Sequence, residues 1–123
     1  MSASTTTTAR RVLLHLEEGR RVPVDPSEVF LLEADGDRTE VRTRGKKRLR
    51  DLRSLGEVLA LFPAGLLVQV HRGYAVNVDR VDEIRRRAGD GRDWEVRLEP
   101  PVNRVLPVSR TYLAGLWRAY GEG

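Results

Sequence analysis

The stretch Leu67-Val68-Gln69-Val70-His71-Arg72-Gly73-Tyr74-Ala75-Val76-Asn77-Val78 decides the fold of this 123-residue chain. Two apolar runs, Leu66 to Val70 and Tyr74 to Val76, flank the polar break His71-Arg72-Gly73. Runs this short, rich in β-branched residues and bounded by glycine and charge, read as strands. The break between them then becomes a short connection carrying an arginine.

Working back toward the N-terminus, one helix is signalled ahead of this pair. Ser54 and Glu57 have capping-box spacing, Leu55, Val58, Leu59 and Phe62 recur at helical intervals, and Pro63 stops the pattern. Before it, Arg48-Leu49-Arg50 reads as a strand after a Gly45-Lys46-Lys47 turn. Arg38 to Thr43 alternates as the return strand of a hairpin whose first arm includes Val29 to Leu32. Ala34-Asp35-Gly36-Asp37 supplies the turn chemistry, and Arg38, Glu40 and Arg42 should share a face. Leu13–Leu16 and Arg21–Val24 form a further hairpin around Glu17 to Arg20.

Toward the C-terminus, Val81 to Arg87 and Trp94 to Leu98 flank Gly89-Asp90-Gly91 as a third hairpin. Val102 to Val108 is a last strand interrupted at Asn103-Arg104. Ser109 to Tyr120 places Leu113, Leu116, Trp117 and Tyr120 on one helical stripe behind a serine cap, with Trp117 and Tyr120 read as core. The expected fold is mainly β, with many short antiparallel strands and two short helices. The length allows one domain, expected over residues 11–121 after a disordered tail at 1–10.

Charge is unevenly distributed. The 22 basic residues include only two lysines, and the formal net charge is +4. Arginine forks match phosphate and guanine edges, so the imbalance fits nucleic-acid contact, although GC-rich coding also enriches arginine. From His15 to Glu40 eight carboxylates face three arginines, whereas Arg42 to Arg53 carries seven basic residues and only Asp51. The basic segment reads either as a phosphate-contacting edge or as an edge strand protected from aggregation by charge. Arg85-Arg86-Arg87 reads as a solvated face beside Asp82, Glu83 and Asp90.

Several classes are disfavoured. Without cysteine there are no disulfides, thiolate metal sites or thiol catalysis. The longest apolar stretch, Val58 to Val68, is broken by Pro63 and Gly65 and falls short of the ~20 residues of a membrane helix. The N-terminus lacks a secretory signal, and a cytoplasmic location is expected. His15 and His71 lie on separate strands without a nucleophile or ligand pattern, so neither an enzyme nor a cofactor, metal or small-molecule substrate is expected.

Four segments in order resemble the LytTR DNA-binding domain, the output module of LytR/AlgR-type bacterial response regulators. They are Val22 to Val29, which looks like the family's entry strand, Ser54 to Pro63, His71-Arg72-Gly73-Tyr74-Ala75-Val76-Asn77 followed by Val81-Asp82-Glu83-Ile84, and Leu106-Pro107-Val108-Ser109-Arg110-Thr111-Tyr112-Leu113. The resemblance covers roughly Val12 to Tyr120. Three departures stand out: Gly73 replaces the usual serine, Thr111 stands where a second basic residue is common, and Pro100-Pro101 interrupts a hairpin usually closed by an Asp-Gly turn. No receiver domain lies within the 123 residues, so the expectation is a stand-alone regulator.

The resemblance implies sequence-specific binding to double-stranded DNA through three loops: the Asp35–Arg38 turn, His71-Arg72-Gly73 and Val108-Ser109-Arg110. It makes Arg72, Arg110 and Arg38 the candidates for base contacts. Arg44, Lys46, Lys47, His71 and Ser109 would contact phosphate or support the loops, with a structural role for Asn77. A second copy on an adjacent half-site is also implied. Two alternatives stay open, a protein-interaction module that keeps the fold and a single-strand or RNA-binding β-domain that would stack bases on Tyr74 or Tyr112.

Overall fold

A computed structural model describes residues 10–45, 48–89 and 93–122. The expected disordered tail up to residue 9, Lys46 and Lys47, and the Asp90-Gly91 portion of the third turn lie outside them.

Among the described residues, ten strands and two α-helices follow in order: β1 (Val12–His15), β2 (Arg21–Val24), β3 (Val29–Asp35), β4 (Arg38–Thr43), β5 (Arg48–Asp51), α1 (Leu55–Leu59), β6 (Leu67–His71), β7 (Tyr74–Asn77), β8 (Val81–Arg86), β9 (Trp94–Leu98), β10 (Val105–Val108) and α2 (Arg110–Ala119). The strands form a five-stranded sheet ordered β5-β4-β3-β7-β6, a three-stranded sheet ordered β10-β9-β8, and the β1-β2 hairpin. Every strand pairing is antiparallel. Among the described residues, no helix is long and apolar enough to cross a membrane.

The five-stranded sheet is apolar on both faces and carries a core on each. Along β3 and β7 neighbouring side chains point opposite ways. Leu32 and Ala75 join Val12, Leu14 and Leu16 around β1, and Leu55, Val58 and Phe62 around α1. Leu31 and Val76 join Val96 and Leu98 of β9, Leu106 and Val108 of β10, and Leu116 of α2. A bulge between Val29 and Leu31 puts Phe30 in this second core beside Leu31. The β4 alternation is as read from the sequence, with Thr39, Val41 and Thr43 buried and Arg38, Glu40 and Arg42 on the more open face.

Local chemistry sets the boundaries. Gly36, at φ 64°, supplies the left-handed residue of the two-residue β3-β4 turn. The Ser54 hydroxyl accepts from the Glu57 N–H, and the Glu57 carboxylate accepts from the Ser54 N–H, completing the capping box of α1. Ser109 accepts from the Thr111 N–H and starts α2.

Three expectations need correction. Val22 to Val29 is not one strand: the Asp25 side chain accepts from the Ser27 N–H and caps a turn of 3-10 helix over Pro26–Glu28. The last strand begins at Val105 rather than Val102. The N–H groups of Val102 and Asn103 both donate to the Glu99 carbonyl, and Asn103 takes φ 54°, so this part closes a turn. Tyr120 is 41% exposed rather than core, because it caps the end of α2 and sends its hydroxyl to the Val78 carbonyl at 2.7 Å.

Candidate nucleic-acid interface

The β6-β7 connection is short because its register shifts between Gln69 and His71, leaving His71 opposite Tyr74 with only Arg72 and Gly73 between them. Side chains from the strand then fix the turn. The His71 Nδ1 accepts from the Gly73 N–H at 3.1 Å. The Gln69 amide donates to the carbonyls of His71 and Arg72 at 3.2 and 3.3 Å. With its backbone held on both sides, the turn leaves the Arg72 side chain exposed.

Two backbone hydrogen bonds join the other candidate loops to this one. The Gly73 carbonyl accepts from the Ala34 N–H at 2.8 Å, tying it to the end of β3 and so to the Asp35–Arg38 turn. The Val70 carbonyl accepts from the Ser109 N–H at 2.8 Å, which sets the first residue of α2, Arg110, beside the end of β6. The three segments named from the sequence therefore meet at one end of the five-stranded sheet.

Their arginines are not equivalent. Arg72 and Arg110 are exposed, and among the described residues neither makes an ion pair. Arg38 is engaged, its guanidinium donating to the Glu17 carboxylate at 2.8 Å. Two acids beside the cluster are matched within the chain, Asp35 by Arg50 at 3.0 Å and Glu33 by Arg104 at 3.5 Å, whereas Asp37 of the turn is exposed and makes no ion pair among the described residues. These pairs lower the local negative charge that would oppose a polyanion.

The other named residues lie elsewhere or point inward. Arg44 follows β4 at the opposite end from the Asp35–Arg38 turn, roughly 20 Å away at the ordinary rise per strand residue. It pairs with Glu28 at 3.2 Å, and its guanidinium lies 5.6 Å from the Phe30 ring centre. The structure does not bring Arg44 together with the three loops. Asn77 is fully buried. Its amide donates to the Val29 carbonyl at 2.8 Å and the Pro26 carbonyl at 3.4 Å, and its oxygen accepts from the Asp79 N–H at 2.8 Å. The asparagine thus joins β7 to the start of β3 and to the turn before β8.

Sequence reasoning missed Gln69 and Glu17. The signal for Gln69 was a polar side chain interrupting an apolar strand two residues before the connection. Glu17 gave none, since its contact with Arg38 spans 21 positions.

A model of the LytTr DNA-binding domain matches residues 19–121. The chain belongs to the LytTr DNA-binding domain family. Among solved structures, it is similar to the LytTr DNA-binding domain of a Bacillus cereus protein described as a putative methyl-accepting/DNA response regulator. The two are 25% identical with a TM-score of 0.73, over 91% of this chain and 97% of that one. No curated protein matches the chain. LytTr domains are a family of DNA-binding domains and not of enzymes.

Proposed function

We propose that this LytTr domain, over residues 11–121, regulates transcription by recognising a specific duplex site through the three clustered loops. The observation that carries the reading is the convergence of two exposed arginines, Arg72 and Arg110, at one end of a rigid sheet. A guanidinium can donate to both acceptors of guanine in the major groove, with roughly 1–3 kcal/mol of discrimination for each good pair. Arg38 is a third reader, available once its Glu17 pair opens. His71 supports the middle loop through Gly73. Ser109 caps α2, whose N-terminal end carries the partial positive charge that favours phosphate.

Arg44, Lys46 and Lys47 enter the reading as phosphate contacts, Arg44 lying away from the reading loops. Phosphate contacts set register and release counterions without choosing sequence, so substitution there should flatten the salt dependence and leave discrimination unchanged. Binding by a second copy on an adjacent half-site belongs to the same proposal. So does action without a phosphorylated receiver, in the cytoplasm beside the DNA.

A mobility-shift titration of the 123-residue chain against its own promoter and a scrambled duplex tests the proposal. Preference for the promoter sequence supports it, and equal affinity for the two duplexes overturns it.

A further inference from the structure

We propose that a second copy of this chain pairs with the open edge of β8, forming an antiparallel dimer centred on Ile84. Strand β8 ends its three-stranded sheet, with β9 on one side and, among the described residues, no strand on the other. The Arg87 N–H donates to the Asp93 carbonyl, and Arg85 and Glu83 stand opposite Glu95 and Arg97. Backbone direction alternates along a strand, so residues 83, 85 and 87 address β9 while Ile84 and Arg86 direct their N–H and C=O groups to the open side. The bulge between Val81 and Glu83 ends this open ladder.

Charge selects the partner and the register. The segment Asp82-Glu83-Ile84-Arg85-Arg86 inverts its charge about Ile84. Residues on the open side can bond only to open-side residues of the second copy, which restricts a symmetric pair to a few registers. Centring on Glu83 puts Glu83 against itself, and centring on Arg85 puts Arg85 against itself. Like charges directly opposite are destabilising. Centring on Ile84 places Glu83 opposite Arg85 of the second copy, twice over by symmetry, with Ile84 bonded to Ile84. Within the chain Arg85 already meets Glu95 at 2.7 Å and Glu83 at 3.3 Å, but the Arg85 and Glu83 side chains are 40% and 50% exposed, so each keeps a side open to the second copy.

The pairing differs from two copies standing on adjacent half-sites. The Arg86 end of β8 adjoins Trp94, which pairs with Val108 immediately before Ser109 and Arg110. Antiparallel pairing therefore puts the two Arg110 residues at opposite ends of the dimer, in position to bridge two DNA segments.

Sedimentation equilibrium without DNA is the test. The weight-average mass should rise with concentration from 13.9 kDa toward twice that value and fall again with added salt. Glu83→Lys and Arg85→Glu should each weaken association about tenfold, because each sets like charges opposite in two places. Mixing the two variants should restore it, since the introduced lysine of one chain then faces the introduced glutamate of the other, and the unchanged Arg85 of the first faces the unchanged Glu83 of the second. Ile84→Pro serves if a charge variant does not fold: it removes an N–H on the open side while leaving the β8-β9 bonds intact, and it should abolish association. A chain that stays at 13.9 kDa at millimolar concentration overturns the proposal, as does a dimer indifferent to these variants or a mixture that fails to associate.

Discussion

An arginine at the end of a sheet can read a base only if its guanidinium is not committed to a carboxylate. Arg72 and Arg110 meet that condition, whereas Arg38 must first leave Glu17. Arg72→Ala and Arg110→Ala should each cut discrimination between specific and scrambled duplex by about 1–3 kcal/mol, measured by competition titration. Glu17→Gln should act the other way. Exposed ion pairs contribute at most about 1 kcal/mol, so freeing Arg38 should raise affinity for the site by no more than about fivefold, measured by fluorescence anisotropy. Gln69→Ala removes both side-chain bonds that hold the turn carrying Arg72. Site affinity should fall by about 1–2 kcal/mol while the far-ultraviolet circular dichroism is unchanged. The arginines themselves were legible in the sequence, because short polar breaks between apolar runs announce loops. Their partners were not, because Glu17 and Arg38 meet only after two hairpins pack together.

At the scale of elements, one buried carboxylate reinforces the packing of the β1-β2 hairpin on the five-stranded sheet. Asp51, at the end of β5, accepts from the His15 N–H at 2.8 Å and from the Arg53 side chain at 2.9 and 2.8 Å, while Arg53 also donates to the Leu13 carbonyl at 3.0 Å. Burial pushes the Asp51 carboxyl upward, but the hydrogen bonds from Arg53 and His15 outweigh it and hold the group below the usual aspartate range. A depressed folded value means that the ionised carboxylate stabilises the fold at neutral pH. This contribution should fade as pH falls below the ordinary aspartate value toward the folded one. Asp51→Asn leaves Arg53 without its counter-charge and should cost about 3 kcal/mol in urea unfolding at neutral pH, with a smaller difference from the parent chain in acid. The strands and both helices were legible because turn glycines, caps and alternation are local. The latch was not: Asp51 reads as a strand-end acid in a basic segment, and its burial depends on a hairpin 36 positions earlier.

For the whole molecule, the charge pattern of the sequence takes on a spatial meaning. The acidic stretch from His15 to Glu40 and the basic stretch that follows are extensively paired with each other, through Arg44–Glu28 and Arg50 with Asp35 and Glu40, and Arg38–Glu17 adds a pair within the acidic stretch. The basic segment carries fewer free charges than composition implied, and its Arg44 end lies away from the reading loops. Sequence could show neither result, because an antiparallel hairpin sends its turn and its open ends to opposite poles of the sheet. At the loop end Arg72 and Arg110 remain exposed and, among the described residues, without an ion pair. The most direct measurement takes duplex fragments selected by the protein from random sequence and titrates them, alongside scrambled versions, with the parent chain and with the Arg72→Ala, Arg110→Ala double variant. The parent should prefer the selected duplex, and the double variant should lose most of that preference while keeping its weak binding to scrambled DNA. A double variant that discriminates as well as the parent would contradict the account.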